Sequence, residues 1–265
     1  MEMDNASPSP ALLRDDQDGI ATLTLNRPAA HNSLSMALLD GLQDQMDRIA
    51  GDPAVRVVIV AANGPSFCAG HDMKELRANP GRQTYEAMFA QCSRLMQSIV
   101  HSPKPVIAQV QGMATAAGCQ LVASCDLAIA GESSGFCTPG VNIGLFCSTP
   151  MVALSRNVPR KVAMEMLLTG DAMAPSDAAR WGLINRVVPD DVLAGETIAL
   201  AAQIAAKSSY TLAVGKEAFY QQLDMDLAGA YDHASRVMTE NMLAHDAAEG
   251  IDAFLEKRAP HWQDH

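Results

Sequence analysis

The pattern of apolar and polar positions divides the chain into short strands and helices. Residues 20–25 (IATLTL) alternate strictly, which predicts a half-buried strand, and the continuous β-branched run over 55–61 predicts a strand buried on both faces. Apolar residues recur at helical spacing over 35–50, with Ser33 or Ser35 as the predicted cap. This succession predicts an α/β core.

The same alternation continues as far as residue 130. The pattern predicts a broken helix over 74–100, an apolar strand over 105–110, a short helix over 118–124 and a strand over 127–130. Strands that alternate with helices in this way pair in parallel, because each helix carries the chain back to the same end of the sheet. We therefore expect a parallel sheet covered by helices.

The character of the chain changes from about residue 151, where the pattern becomes mostly helical. One strand is predicted there, over 184–188. We expect a disordered lead over 1–15, the α/β core over 16–205, and a helical region over 206–265. That last region carries more apolar residues than it can bury alone, so we expect another subunit to cover it.

Composition and charge narrow the choice of partner and compartment. The 265 residues carry a formal net charge of −11, which disfavours nucleic acid and anionic membranes as partners. The six cysteines form no CxxC pair and no metal-ligand spacing, so we expect reduced thiols and no bound metal. The first fifteen residues resemble neither a signal peptide nor a transit peptide, and we expect a cytoplasmic protein with no membrane span.

Two loops rich in small residues are the candidate site. One is SFCAGHDMKEL over 66–76, which follows the buried strand, and the other is QGMATAAGCQ over 111–120, which leads from a strand into a helix. Small residues at strand ends let a ligand approach the backbone closely. Backbone N–H groups placed there can stabilise a developing oxyanion.

Five motifs in register give the chain its family resemblance. They are LNRPAAHNSL, FCAGHDMKEL, AAGCQLVASCDLAIA, GLINRVVP and AFLEKR, which together span nearly the whole sequence. With them the chain resembles the crotonase superfamily, the enoyl-CoA hydratase/isomerase family. The resemblance implies an α/β spiral of ββα repeats with a carboxyl-terminal helical trimerisation region, in a homotrimer or a dimer of trimers. It implies a role in fatty acid metabolism with lyase or isomerase chemistry.

The resemblance also assigns candidate site residues. It implies an oxyanion hole made of the backbone N–H groups of His71 and Ala117, with coenzyme A as part of the substrate and no tightly bound cofactor. The positions that match the family's CoA-binding residues are Arg27, Ala29, Ala69, His71, Asp72, Met73, Lys74, Ala117, Lys257 and Arg258. The last two are carboxyl-terminal basic residues, which in the family often reach the CoA phosphates from a neighbouring subunit.

The chain departs from the family at both catalytic glutamates. Hydratases place one glutamate directly after the Gly-Cys of the second loop and another after a Gln-Pro pair further on. Here these positions hold Gln120 and Gly140. Hydration of a conjugated double bond requires a base on the water and an acid at the α-carbon, and neither residue can supply one. The same combination of motifs is similar to one divergent subgroup of the family.

Three hypotheses remain open at this point. The chain is an enzyme that needs only oxyanion stabilisation, as in thioester hydrolysis or decarboxylation, or a true hydratase or isomerase that uses other residues, or a non-catalytic acyl-CoA binder. Among other groups, the side chain of His71 is a candidate for proton transfer. Asp72 is predicted to cap the helix that follows it, and Cys147 is the weakest candidate nucleophile.

Overall fold

The computed structural model describes residues 10–265, which form nine strands, eleven α-helices and three short 3-10 helices. The strands are β1 (Leu12–Gln17), β2 (Ile20–Leu25), β3 (Val57–Ala62), β4 (Ser66–Cys68), β5 (Val106–Val110), β6 (Met113–Thr115), β7 (Leu127–Gly131), β8 (Gly135–Cys137) and β9 (Arg186–Val188). The helices are α1 (Met36–Ala50), α2 (Met73–Ala78), α3 (Arg82–Val100), α4 (Ala117–Ser124), α5 (Pro150–Asn157), α6 (Arg160–Thr169), α7 (Pro175–Trp181), α8 (Leu193–Ala205), α9 (Ser209–Gln222), α10 (Leu227–Met242) and α11 (His245–Glu256).

The strands form two sheets that the chain visits alternately. A six-stranded sheet has the order β1-β2-β3-β5-β7-β9, and a three-stranded sheet has the order β4-β6-β8. Only the β1–β2 pair is antiparallel, and every other pair of neighbours is parallel. Each of β3, β5 and β7 is followed by a small-sheet strand and then by helix, whereas β9 leads directly into helix. The predicted spiral of ββα repeats is confirmed.

The boundary of the amino-terminal lead was predicted wrongly. Strand β1 begins at Leu12 and pairs with β2, with Leu12 opposite Leu25 and Gln17 opposite Ile20. The lead was predicted to extend to residue 15 because the first fifteen residues are acidic, carry Pro and Ser, and contain no apolar run. An edge strand is held by backbone hydrogen bonds and tolerates charged side chains, so its sequence need not show the pattern of a buried strand. Residues 1–9, the rest of that predicted lead, lie outside the described residues.

Helices cover the large sheet on both faces, which explains the continuous apolar run in β3. One face packs into the main core with α1, α3 and α4, where Leu38, Leu95 and Leu121 are fully buried. The other face is covered by α8, through contacts that include Ile59 and Ala201. A strand enclosed in this way needs apolar side chains at every position.

The last three helices are attached to the core by polar contacts rather than by a shared core. No residue of α9 or α10 is buried, and Leu243 and Phe254 are 77% and 81% exposed. Helix α9 is anchored where the ammonium of Lys216 lies 2.7 Å from a carboxylate oxygen of Asp126. The hydroxyl of Tyr220 donates to the other oxygen at 2.9 Å.

The carboxyl-terminal tail ties these helices back to the sheet. The buried carboxylate of Asp246, in the first turn of α11, accepts the N–H of Asp264 at 2.9 Å. Asp264 in turn pairs with Arg56 at 2.9 Å, directly before β3. The indole N–H of Trp262 donates to the carbonyl of Ala206, at the end of α8. The tail therefore joins α8, α11 and the start of β3.

Candidate active site

Three loops meet at the carboxyl ends of the small-sheet strands. Cys68 of β4 lies opposite Ala114 of β6, and Thr115 of β6 lies opposite Cys137 of β8. Because the strands are parallel, the segments that follow them leave the sheet at the same edge. Ligands in parallel α/β sheets bind at this end of the strands. The repeat therefore brings both sequence-predicted loops together and adds a third segment, which begins at Thr138.

Two glycines hold the first two loops in backbone-to-backbone contact. A Cβ atom on Gly70, whose φ is +86°, would lie 2.9 Å from the carbonyl oxygen of Thr115 and 3.2 Å from the nitrogen of Ala117. A Cβ atom on Gly118 would lie 2.1 Å from the carbonyl oxygen of Cys68. Only glycine fits at either position, so the loops are brought closer than side chains would allow.

The backbone N–H groups of His71 and Ala117 donate to no other described residue. The carbonyl of Gly70 and the N–H of Asp72 form hydrogen bonds with the backbone of Leu34. The N–H of His71, between them, therefore points to the opposite side of this extended segment. Ala117 is the first residue of α4, where helical N–H groups have no partner within the helix. Both N–H groups are therefore donors without a partner among the described residues, on loops that touch.

Ala116 adopts an unusual backbone conformation that sets the start of α4. Its φ and ψ are 51° and −113°, a region that non-glycine residues rarely enter. Its N–H donates to the carbonyl of Cys137 at 2.8 Å, and its carbonyl accepts the N–H of Gln120 at 3.0 Å. Strain of this kind persists where the surrounding structure holds it, and it is frequent at functional sites. The strained residue thus links the second loop to the end of β8.

Asp72 connects the first loop to the amino-terminal loop. One carboxylate oxygen accepts the N–H groups of Lys74 and Glu75 and caps α2, as predicted. The other oxygen pairs with Arg27 at 2.9 Å and accepts the hydroxyl of Ser33. Burial raises the pKa of this carboxyl, but the hydrogen bonds from Arg27 and Glu75 outweigh burial and hold its pKa below the usual value.

The remaining sequence-predicted CoA residues fall into two groups. Ala29, Ala69, Met73 and Lys74 are exposed on the loops around Asp72, so they share one rim with Arg27. Lys257 and Arg258 instead follow α11, which packs against α9 and α10. Arg258 pairs there with the carboxylates of Glu249 and Glu256, each at 2.7 Å. Within one chain its guanidinium is therefore engaged by carboxylates.

The imidazole of His71 is neutral at physiological pH. Burial lowers its pKa to about 4. The ring packs edge-on against Phe89 of α3, with 5.3 Å between ring centroids, and its Nε2 atom is buried without a hydrogen-bond partner among the described residues. A neutral ring can accept or donate one hydrogen bond, but it adds no charge to the site.

The two positions that the resemblance assigned to catalytic glutamates differ in available space. Gln120 lies in α4, is 5% exposed, and has a buried Oε1 atom with no partner among the described residues. A Cβ atom on Gly140 would lie 2.7 Å from the carbonyl oxygen of Leu145 and 2.9 Å from the sulfur of Cys147. The φ of Gly140 is not left-handed, so the packing, rather than the backbone conformation, excludes a side chain.

The thiols of Cys137, the last residue of β8, and of Cys147, in the third segment, are not activated. Burial raises the pKa of both Cys137 and Cys147, so each is protonated near neutral pH. Within residues 10–265, no three His, Cys, Asp or Glu side chains are grouped as a metal site would require.

The comparisons with known proteins identify the family. The sequence profile described as enoyl-CoA hydratase/isomerase matches residues 15–265. The chain belongs to this family. Its fold is similar to the crystal structure of an enoyl-CoA hydratase from Mycobacterium smegmatis, with a TM-score of 0.94 and 52% identity, over 96% of this chain and 99% of that one.

The predicted subgroup is confirmed as well. Enoyl-CoA hydratase domain-containing protein 3 from Mus musculus is 49% identical over 246 residues, which cover 93% of this chain and 82% of the mouse protein. The crystal structure of the human protein of that name has a TM-score of 0.93 and 48% identity, over 95% of this chain and all of that one (100%).

The expectation of a cytoplasmic protein is wrong, because the names of similar proteins point to mitochondria. Relatives from mouse, rat, human, Xenopus laevis and Danio rerio, 46–49% identical, are all named as mitochondrial proteins. The expectation rested on the lack of a targeting pattern in the first fifteen residues, and the lack of a local pattern does not determine a compartment. Among the described residues, no helix combines the length and apolar character needed to span a bilayer.

Sequence reasoning missed three contacts at this site. The Arg27–Asp72 ion pair joins residues 45 positions apart, and no local pattern announces it. The contact between Phe89 and His71 was also missed. Phe89 is 38% exposed on α3, and its position in the helix shows no unusual spacing. The packing of residues 145–147 on Gly140 follows from how an irregular segment folds back, and composition does not encode it.

Proposed function

We propose that this protein binds acyl-CoA thioesters and polarises the thioester carbonyl with the backbone N–H groups of His71 and Ala117. The observation that carries the proposal is that both donors are unpaired and that Gly70 packs directly against Ala117. Two N–H groups aimed at one oxygen stabilise the negative charge that develops there during reaction. The macrodipole of α4 adds positive potential at the same point.

The thioester assignment is supported by what named relatives act on. A 2,3-dehydroadipyl-CoA hydratase from Escherichia coli is 32% identical over 94% of this chain, and its name specifies a CoA thioester. We propose that the CoA portion lies along the rim formed by Arg27, Ala29, Ala69 and residues 71–74. Lys74 is the exposed cation on that rim, and it would face the phosphates of the nucleotide.

We propose further that the reaction is not hydration. Gln120 cannot exchange a proton near neutral pH, and the packing around Gly140 leaves no room for an acid. The chemistry that such a site supports passes through an oxyanion and needs no carboxylate from the protein. Thioester hydrolysis and decarboxylation are the two classes of that kind.

The direct test is a crystal structure with butyryl-CoA. The thioester oxygen is expected about 3 Å from both nitrogens, those of His71 and Ala117. Titration calorimetry with butyryl-CoA and with free CoA provides the matching measurement in solution, and the thioester is expected to bind more tightly. A complex in which the carbonyl points away from the two N–H groups would refute the proposal.

We also propose that the protein is a homotrimer, alone or stacked as a dimer of trimers. The support is the apolar surface of the last three helices, on which Leu227, Leu243 and Phe254 are each more than three-quarters exposed. An apolar surface of this extent is characteristic of a subunit interface. Sedimentation equilibrium at micromolar concentration checks it, and a monomer would contradict it. Lys257 lies beside this surface, where a neighbouring subunit's CoA phosphates would be within its reach.

A further inference from the structure

Two hydrogen-bonded peptide groups connect the guanidinium of Arg27 to the N–H group of His71. Nη1 of Arg27 donates to the carbonyl of Ser33 at 2.5 Å. The peptide group that contains this carbonyl also contains the N–H of Leu34, which donates to the carbonyl of Gly70 at 2.7 Å. The peptide group of Gly70 ends in the N–H of His71, which has no partner among the described residues. We call these two peptide groups the relay.

The relay fixes the direction of its last N–H group. A trans peptide group is planar, and its C=O and N–H bonds point in opposite directions. Because the carbonyl of Gly70 points to the N–H of Leu34, the N–H of His71 points away from Leu34. A displacement of Leu34 would therefore rotate the donor that the proposed function assigns to the thioester oxygen.

The positive charge of Arg27 lies at the other end of the relay. Hydrogen bonds in a chain polarise one another and strengthen by about 10–30% per bond. A cation that donates to the first carbonyl draws electron density along both peptide groups. The N–H of His71 therefore becomes a stronger donor to an oxygen on which negative charge develops.

Further contacts hold Arg27 in place. Its backbone N–H donates to Oδ1 of Asn32 at 2.8 Å. The fully buried amide of Asn32 also donates to the carbonyls of Asn63 and Ser66, each at 2.8 Å. Nη2 of Arg27 pairs with Asp72 at 2.9 Å, one residue beyond the relay. The guanidinium thus donates to two acceptors through one planar group, which lysine cannot do.

We propose that Arg27 is a positioning residue that directs and polarises the N–H of His71 through the relay. The inference rests on the proposed function, because it takes that N–H to hold the thioester oxygen. It gives the guanidinium a role other than direct contact with a CoA phosphate, since Nη1 and Nη2 both donate to acceptors within the protein.

The test compares butyryl-CoA with S-butyl-CoA, a thioether that keeps the carbon chain and lacks the carbonyl oxygen. Titration calorimetry gives the ratio of the two affinities, which isolates the contribution of the carbonyl. In the wild type the thioester is expected to bind about tenfold more tightly, as two hydrogen bonds would provide.

The variant Arg27→Lys keeps the charge, but its ammonium cannot reach both Ser33 and Asp72 with the geometry of a guanidinium. The preference for the thioester is expected to fall to about threefold or less. Arg27→Met also removes the charge, and its preference is expected to be equal to that of Arg27→Lys or smaller.

The matched control is Arg56→Lys, at the amino end of β3. The side chains of Arg56 and Arg27 are 24% and 25% exposed. Arg56 also combines backbone carbonyls with one carboxylate, since it donates to Ala205 and Lys207 and pairs with Asp264. Arg56→Lys is therefore expected to lose similar contacts and to keep the full preference for the thioester.

Infrared difference spectroscopy measures the polarisation itself. Butyryl-CoA labelled with carbon-13 at the carbonyl identifies the stretching band of the bound thioester, which moves to lower frequency as its hydrogen bonds become stronger. The shift is expected to be smaller in Arg27→Lys than in the wild type and in Arg56→Lys. A loss of stability alone would not change the band of the bound ligand.

Each outcome decides one point. Equal wild-type affinities for thioester and thioether, or binding of neither, refute the proposed function itself. A thioester preference or an infrared shift that Arg27→Lys retains in full overturns the relay and leaves the proposed function intact. Affinities for both ligands that fall together in Arg27→Lys assign Arg27 to the CoA portion and also overturn the relay. Failure of Arg27→Lys to fold, while Arg56→Lys folds, assigns Arg27 to stability alone and overturns it as well.

Discussion

The two sides of the candidate site are built differently. On one side, the loops after β4 and β6 meet through Gly70 and Gly118, and two N–H groups there have no partner among the described residues. On the other side, the segment after β8 folds back so that Leu145 and Cys147 occupy the space beside Gly140. We propose that the first side presents donors to a ligand and that the packing on the second side excludes a proton-transfer group.

This difference shows how binding and proton transfer can separate within one family fold. The donors on the first side are backbone atoms, and they depend on loop geometry that glycine packing enforces. Proton transfer depends on individual side chains, and a single substitution removes each of them. A chain can therefore lose both acids while its ligand-binding loops remain in place.

The largest expected effect is on hydration. We predict that crotonyl-CoA is hydrated at least about a thousandfold more slowly than by a family hydratase, because each missing acid–base group removes roughly 10²–10⁴ of the rate. Ultraviolet absorbance of the conjugated thioester measures the rate directly. A rate typical of the family would show that another residue supplies the acid, and the contrast between the two sides would fail.

Restoring glutamates tests the same contrast from the opposite direction. Gln120→Glu places a carboxyl at a position that already holds a side chain of that size. Gly140→Glu must instead displace the carbonyl of Leu145, which would lie 2.7 Å from the new Cβ atom. We expect the single change at 120 to fold and the double variant to be strongly destabilised, without family-level hydration.

A second large effect is expected at the contact between the two ligand-binding loops. Gly70→Ala adds a Cβ atom 2.9 Å from the carbonyl of Thr115 at a φ of +86°. Overpacking and the left-handed backbone together should cost about 2–4 kcal/mol of unfolding free energy, measured by urea denaturation. Gly51→Ala is the control, since its Cβ atom would have no neighbour within 4 Å. Equal stability of the two variants would show that the contact between Gly70 and the second loop leaves room for a methyl group.

Acid should destabilise the fold partly through His71. Its folded pKa of about 4 lies below its ordinary value of 6.5, so between these values the unfolded chain binds a proton that the folded chain does not. The contribution of His71 to the free energy of unfolding is therefore complete above pH 6.5. It falls by about 3 kcal/mol in total as the pH drops to 4. Urea denaturation of the wild type and of His71→Gln across this range measures it. The variant should show the shallower dependence, and parallel curves would contradict the assignment.

A moderate effect is expected from the second side of the site. Gly140→Ala must shift the carbonyl of Leu145 or the thiol of Cys147 and should cost about 1–3 kcal/mol, as overpacking does elsewhere. Thermal unfolding of the variant beside Gly51→Ala measures the difference. A stability equal to that of the control would mean that the segment has room for a side chain, and the contrast between the two sides would weaken.

The smallest predicted effect comes from two substitutions at buried threonines, which should shift the melting temperature in opposite directions. Thr138→Val removes a hydroxyl that has no partner within residues 10–265, so the melting temperature should rise. Thr197→Val removes a hydroxyl that donates to the carbonyl of Leu193 at 2.8 Å in α8, so the melting temperature should fall. Each change should amount to about 1 kcal/mol, and differential scanning calorimetry resolves it. Two shifts of the same sign would contradict the pairing described here.

Sequence patterns predicted most of what depends on local order. Ser35 caps α1 by accepting the N–H of Leu38, and the small residues around Gly118 form the predicted strand-to-helix turn. Strand β1 was missed because its backbone pairs while its side chains, such as Arg14, remain polar. The ion pair of Arg27 and Asp72 was missed because it joins distant segments. Periodicity reports which face of an element is buried, but it carries no information about which distant groups meet there.

The carboxyl-terminal tail has a mechanical consequence. Because Asp264 forms an ion pair with Arg56, directly before β3, a force applied to the last residue would be transmitted to the large sheet. The N–H of Ser209, at the start of α9, also donates to Asp264 at 2.7 Å, so α9–α11 form a loop that is closed at Asp264 and carries no tension while these contacts hold. In a pulling experiment on the two chain ends, this loop should therefore extend only after the contacts of Asp264 rupture, and the extension should appear as a sudden gain in length.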